Sequence, residues 1–155
     1  MQTVAMIVEG ILREPNSEAA IAEGVTLYRG LAESSRLYLV SAMWTAQEMS
    51  RWLFGRGLES RHIGYRLALS PSAADRLHAL AKIASWSPAL VLESDPVCAA
   101  ETLRHGYPTV LFAVPAYRAV SWRPDSAAVP DPWDTVAAEI QRQADLRYKD
   151  ERLQQ

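Results

Sequence analysis

The chain predicts an α/β fold, a three-layer α/β/α sandwich on a doubly wound parallel sheet of about five strands. Three observations lead there. Short apolar runs bounded by turn residues alternate with segments of helical periodicity along most of the 155 residues. Strands alternating with helices of this length indicate a parallel sheet covered on both faces. Right-handed crossovers between such strands then place helices on both sides.

The elements follow in order. TVAMIV (3–8) is apolar and bounded by Gly10 and Pro15, which reads as a buried strand. Asn16 and Ser17 offer an N-cap, and Ile21, Val25 and Tyr28 recur at i, i+4 and i+7, predicting a helix that stops near Gly30. RLYLVS (36–41) is the second strand. Thr45 and Glu48 have capping-box spacing and start a second helix, with Ala46, Met49 and Leu53 inward and Gly55 and Gly57 at its end. HIGYRLAL (62–69) is a third strand, with Gly64 at its middle. Ser72 and Asp75 open a helix with Leu77, Leu80, Ala81 and Ala84 on one side. PALVLES (88–94) is the fourth strand. Asp95-Pro96 pairs an N-cap with proline at the first helical position, and Gly106 supplies the stop. TVLFAV (109–114) closes the sheet. Residues 115–130 read as an irregular loop, and 131–146 as a C-terminal helix with Trp133, Val136, Ile140 and Ala144 inward. One domain over 1–146 and a charged tail over 147–155 are expected.

Composition narrows the function classes. A net charge of −2 supplies no global basic field, so nucleic acid is not an expected partner. No apolar run approaches the ~20 residues of a membrane span, and the N-terminus lacks a signal-like segment. Cytoplasmic residence is the expectation. Cys98 is the one cysteine, which excludes an internal disulfide. The three histidines lack metal-ligand spacing.

Ligands of open parallel sheets bind beyond the carboxyl ends of the strands. Glu9 stands there after the first strand, Ser41 after the second, and Glu93, Ser94 and Asp95 after the fourth. Lys82 precedes the fourth strand. Glu9 and Glu93 each interrupt the end of an apolar strand, where a carboxylate is costly unless exposed, paired or bound to a cation. Two carboxylates with a lysine between are compatible with a hard-cation and phosphate site.

This order of elements resembles the haloacid dehalogenase (HAD)-like superfamily of phosphohydrolases, from Val4 to about Val114. That family's first motif is an apolar strand ending Asp-x-Asp-Gly-(Thr/Val)-Leu. Aligned on Gly10 and Leu12, this chain reads Ile7-Val8-Glu9-Gly10-Ile11-Leu12. LYLVS ending in Ser41 matches the second motif, Lys82 the third, and LVLESDP the acidic fourth. The resemblance implies a Rossmann-like phosphatase fold with Ser41 and Lys82 as phosphate contacts and Glu93 and Asp95 as Mg2+ ligands. Glu9 would hold the acid/base position. The nucleophile position is Ile7, whose hydrocarbon side chain can neither attack phosphorus nor bind magnesium. The short segments after the first motif and between 55 and 72 leave little room for a cap domain. The segment GYPTVLFAVPAYRAVSWRPD (106–125) resembles small actinobacterial or phage-encoded proteins of this type.

Three readings stay open on sequence. The leading one is a capless, degenerate HAD-like pseudoenzyme that acts as a binding or regulatory module for a protein partner or a phosphorylated ligand. The second is a Mg2+-dependent phosphohydrolase using Glu9, Glu93 and Asp95. The third is a structural subunit or homo-oligomer packing through 115–133, with Trp122 as its interaction anchor.

Overall fold

The computed structural model describes residues 1–58, 63–83, 88–113, 136–138, 141–142 and 145. Among them, β1 (Gln2–Ile7), β2 (Ser35–Ser41), β3 (Ile63–Leu67), β4 (Leu90–Glu93) and β5 (Thr109–Leu111) form an all-parallel sheet in the order β3-β2-β1-β4-β5. The intervening helices are α1 (Ala22–Ser34), α2 (Ala46–Phe54), α3 (Ala73–Ala81) and α4 (Pro96–Arg104). The chain winds outward from β1 to β3, crosses back to β4 and winds the other way. Right-handed crossovers therefore put α1 and α2 on one face and α3 and α4 on the other. The α/β class and the parallel sheet expected from the sequence are both present.

β1 is the central strand, flanked by β2 and β4. Val4, Ala5, Met6 and Ile7 are all buried, which is why this run is continuously apolar rather than alternating. Ile7 pairs in register with Val40 and belongs to the main core with Leu37, Leu39, Met49, Leu53, Leu80 and Val91.

The polar punctuation acts as its spacing implies. Thr45 Oγ1 accepts from Glu48 N at 3.3 Å, and Thr45 N donates back to Glu48 Oε2 at 2.7 Å, completing the capping box. The Thr45 N–H and the Thr45 hydroxyl, which both donate to Glu48 Oε2, hold the exposed Glu48 carboxyl below its ordinary pKa. Ser72 accepts from Asp75 N at 3.3 Å, and Asp95 from Cys98 N at 2.9 Å with Pro96 in the first turn.

The first helix departs from expectation at both ends. Ser17 does not cap it, because its Oγ accepts from Ala19 N at 3.2 Å while Glu14 N closes a turn on Ala19 O at 2.9 Å. The helix starts at Ala22, after Ile21 N bonds Leu12 O at 2.9 Å, and has no side-chain cap. Gly24 sets its depth, since a Cβ there would lie 1.6 Å from Ile11 O. It passes Gly30, whose missing side chain faces open space, and runs directly into β2.

Other boundaries contract: β3, β4 and β5 are each shorter than their apolar runs. Gly64 is needed in β3 because the Tyr38 ring covers it, leaving a Cβ only 2.3 Å from Tyr38 Cε1. The inner face of α2 is Met49, Trp52 and Leu53, with Ala46 exposed. On α3, Arg76, Ala79 and Leu80 are buried and Ala81 is exposed, because Arg76 is drawn inward by Glu93. Ala84, the 115–130 loop with Trp122, most of 131–146 and the 147–155 tail lie outside the described residues. Val136 is described and is buried in a small cluster with Ala99 and Leu111.

Candidate functional site

The strand order reverses between β1 and β4, so a ligand crevice would open beyond their carboxyl ends. In this protein that position is stitched together. After β1, Val8 N bonds Val40 O at 2.9 Å, while Val8 O accepts from Ile11 N (3.3 Å), Leu12 N (2.9 Å) and Arg13 N (3.2 Å). Gly10 turns the coil at φ +83°, and its N–H donates to Arg13 O at 2.8 Å. The coil lies against the end of β4: Ser94 Oγ donates to the Glu9 carbonyl at 2.6 Å. A Cβ on Gly10 would sit 2.7 Å from Ser94 Cβ, so glycine is required here for close approach as well as for φ.

Each carboxylate has a partner of its own. Glu9 is 7% exposed, and its Oε1 accepts from Ser41 Oγ. Ser41 is fully buried, and its Oγ also accepts from Met43 N (3.2 Å) and Trp44 N (3.0 Å). One donor and two acceptors are all a hydroxyl has, so Ser41 has no capacity left for a phosphoryl oxygen. Glu93 is also fully buried. Its Oε1 accepts from Arg76 Nη1, from Ser94 N at 2.8 Å and from Asp95 N at 3.1 Å. Its Oε2 has no hydrogen-bond partner among the described residues. Burial pushes the Glu93 pKa above its ordinary value, opposed by the Arg76 cation and the two backbone donors.

Glu9 therefore turns toward β2 and Glu93 toward α3, while Asp95 caps α4. Among the described residues, no group of three or more His, Cys, Asp or Glu could hold a metal ion. Ile7 is 1% exposed, enclosed by the core below the coil that carries Glu9. Lys82 is not brought to this edge. It is the exposed C-cap residue of α3, whose axis runs back toward the start of β4, and it lies six residues, or ~9 Å of helix rise, beyond Arg76. Trp122 is outside the described residues.

Sequence reasoning missed two arginines. Arg76 fills the place beside β4 expected of Lys82. Its signal was position: it stands four residues before Leu80, on the inward stripe of α3. Arg13 follows the buried Ile11-Leu12 pair and is itself 3% exposed. Its guanidinium lies 3.9 Å from the Trp44 ring centroid, Trp44 and Trp52 are 5.8 Å apart, and Arg56 lies 4.1 Å over Trp52. Arg13 Nη1 donates to Ser17 O at 3.1 Å, and Trp52 Nε1 and Arg56 Nη2 both donate to Glu18 O at 3.0 Å. This alternating stack fastens the 13–20 segment to α2. Nothing in residue spacing announces it, because the partners come from three separate segments.

Cys98 is buried, with Sγ 3.7 Å from Pro71 O. Its pKa is pushed up to about 12, chiefly by burial, so it is a structural thiol and not a nucleophile.

No family model and no curated protein match the chain. Among solved structures, a chain of the Pnkp1/Rnl/Hen1 RNA repair complex is similar, with a TM-score of 0.58 at 10% identity. The match covers 75% of this chain and 43% of that one. This chain thus spans less than half the length of the one it matches, and at such identity the likeness extends to the fold alone. By sheet order and by this likeness, the chain is an α/β protein with a Rossmann-like, doubly wound parallel sheet.

Proposed function

We propose that this is a HAD-like domain without phosphohydrolase chemistry, acting as a binding or regulatory module. The observation that carries the reading is the closed switch point, where Ser94 Oγ is bonded to the Glu9 carbonyl and Gly10 lies against Ser94. An in-line displacement at phosphorus needs a nucleophile and a vacant position for the phosphoryl group. Here the residue at the nucleophile position is a buried isoleucine, and the position beyond it is filled by the chain itself. Ser41 and Glu9 satisfy each other, and Arg76 neutralises Glu93. The carboxyl edge also exposes Met43, Leu67, Leu69 and Val97, a surface better suited to a protein contact than to a polar metabolite.

The phosphohydrolase reading would need Glu9, Glu93 and Asp95 to share a cation, and their separate partners speak against it. The test is turnover of p-nitrophenyl phosphate and a nucleotide panel with Mg2+. No turnover above buffer is expected, for wild type and for Glu9→Gln alike. Turnover that disappears in Glu9→Gln would overturn the proposal.

A further inference from the structure

We propose that Arg13 forms the floor of an oxyanion-binding site at the corner between β1 and α2, taking a phosphate or carboxylate group in place of the Met43 thioether. Arg13 is 3% exposed as a residue and forms no ion pair among the described residues. A buried charge is costly unless paired and hydrogen-bonded, so this cation's partners deserve a complete account.

Arginine has five N–H donors in a planar fork. One Nη1 donor reaches Ser17 O at 3.1 Å, one Nη2 donor meets Met43 Sδ at 3.4 Å, and Nε is buried with no partner among the described residues. A thioether is a weak acceptor, and the Trp44 face steadies the cation without accepting a conventional hydrogen bond. Of the nearby acids, Glu9 bonds Ser41 and Glu48 bonds Thr45, while Glu14 and Glu18 are exposed and form no ion pair with Arg13 among the described residues. Trp44 directly precedes the N-cap of α2, a nine-residue helix whose amino end adds positive partial charge to the same corner.

What this corner lacks is a negatively charged acceptor with two oxygens, the group an arginine fork recognises best. Met43 is 60% exposed, so its side chain can swing aside without opening the core. The inference does not rest on the absence of catalysis, since neither Arg13 nor Met43 belongs to the Glu9–Ser41 or Arg76–Glu93 pairs.

Inorganic phosphate and, separately, acetate would be titrated into the full chain at constant ionic strength, following tryptophan fluorescence through the Trp44 stack. Saturable binding of either anion is expected, and which one saturates distinguishes a phosphorylated ligand from a carboxylate. Arg13→Met should weaken it about tenfold or more, the scale of one charged hydrogen bond. Met43→Ala should tighten it by removing the competing cover. No saturation in wild type, or unchanged affinity in a folded Arg13→Met, would overturn the site. Should Arg13→Met not fold, unchanged affinity in Met43→Ala overturns it on its own.

Discussion

Glu93→Gln keeps the shape of the side chain and its acceptor for Ser94 N and Asp95 N, but removes the charge that Arg76 answers. Arg76 is 7% exposed, so the variant leaves a buried guanidinium without its counter-ion. Breaking such a pair from one side costs about 3–5 kcal/mol, or about 6–20 °C in Tm for a chain of this length. Arg76→Met should also destabilise, because Glu93 is left buried without its cation and must either carry an unpaired charge or take up a proton. The double variant should recover most of the loss, because a neutral amide beside an apolar side chain restores compatibility. Urea unfolding followed by tryptophan fluorescence gives all four corners of the cycle.

The pH dependence supplies a second arm. Glu93 binds its proton more tightly in the folded state than its ordinary value of 4.5 implies, because burial disfavours the anion. The contribution of a raised carboxyl is therefore fullest below that value and is lost as pH rises through the folded pKa. Glu93→Gln should remove this decline, and Arg76→Met should carry it to higher pH by deleting the cation that favours the carboxylate. If the double variant is as unstable as the sum of the singles, mutual charge compensation is not what couples α3 to β4.

Three further outcomes are specific. Gly30→Ala should stabilise the protein by about 0.4–1 kcal/mol, since the position is mid-helix, has ordinary φ and faces open space. Gly24→Ala, six residues earlier on α1, should cost more than ~3 kcal/mol by driving a methyl into Ile11 O, and urea midpoints separate the two signs. Cys98 should resist a disulfide reagent near neutral pH in native protein and react at the ordinary thiol rate in urea; rapid native labelling would contradict its burial.

Much of the architecture was legible because it is locally encoded. TVAMIV is buried throughout and LYLV and ALVL supply buried strand centres, and the Thr45, Ser72 and Asp95 caps act through neighbours within three residues. The location of the polar groups was legible too, since Glu9, Ser41 and Glu93 sit at strand ends by sequence alone. What they bond to was not. Ser41 and Glu9 are 32 residues apart, and Arg76 and Glu93 are 17 apart, so their pairing depends on sheet order and on the rotation of α3. Lys82 is the basic residue nearest before β4 in sequence, yet helix direction carries it away from the edge where Arg76 arrives. The cap offered by Asn16-Ser17 failed for a similar reason: a turn closed by Ala19 used Ser17 first.

The coil after β1 also constrains what mutation can reach from this sequence. Installing an acid at position 7 would place a carboxylate inside the central strand, with Val40 beside it and out of reach of solvent. Freeing the position above would require Ser94 to release the Glu9 carbonyl and Gly10 to move, though Gly10 was fitted to that contact. Each step is a loss when taken alone, and none assembles an acidic pair with open space above it until the others are present. For selection acting one substitution at a time, the edge is a valley floor: its rim can be changed residue by residue, whereas an open switch point lies across a ridge of unstable intermediates.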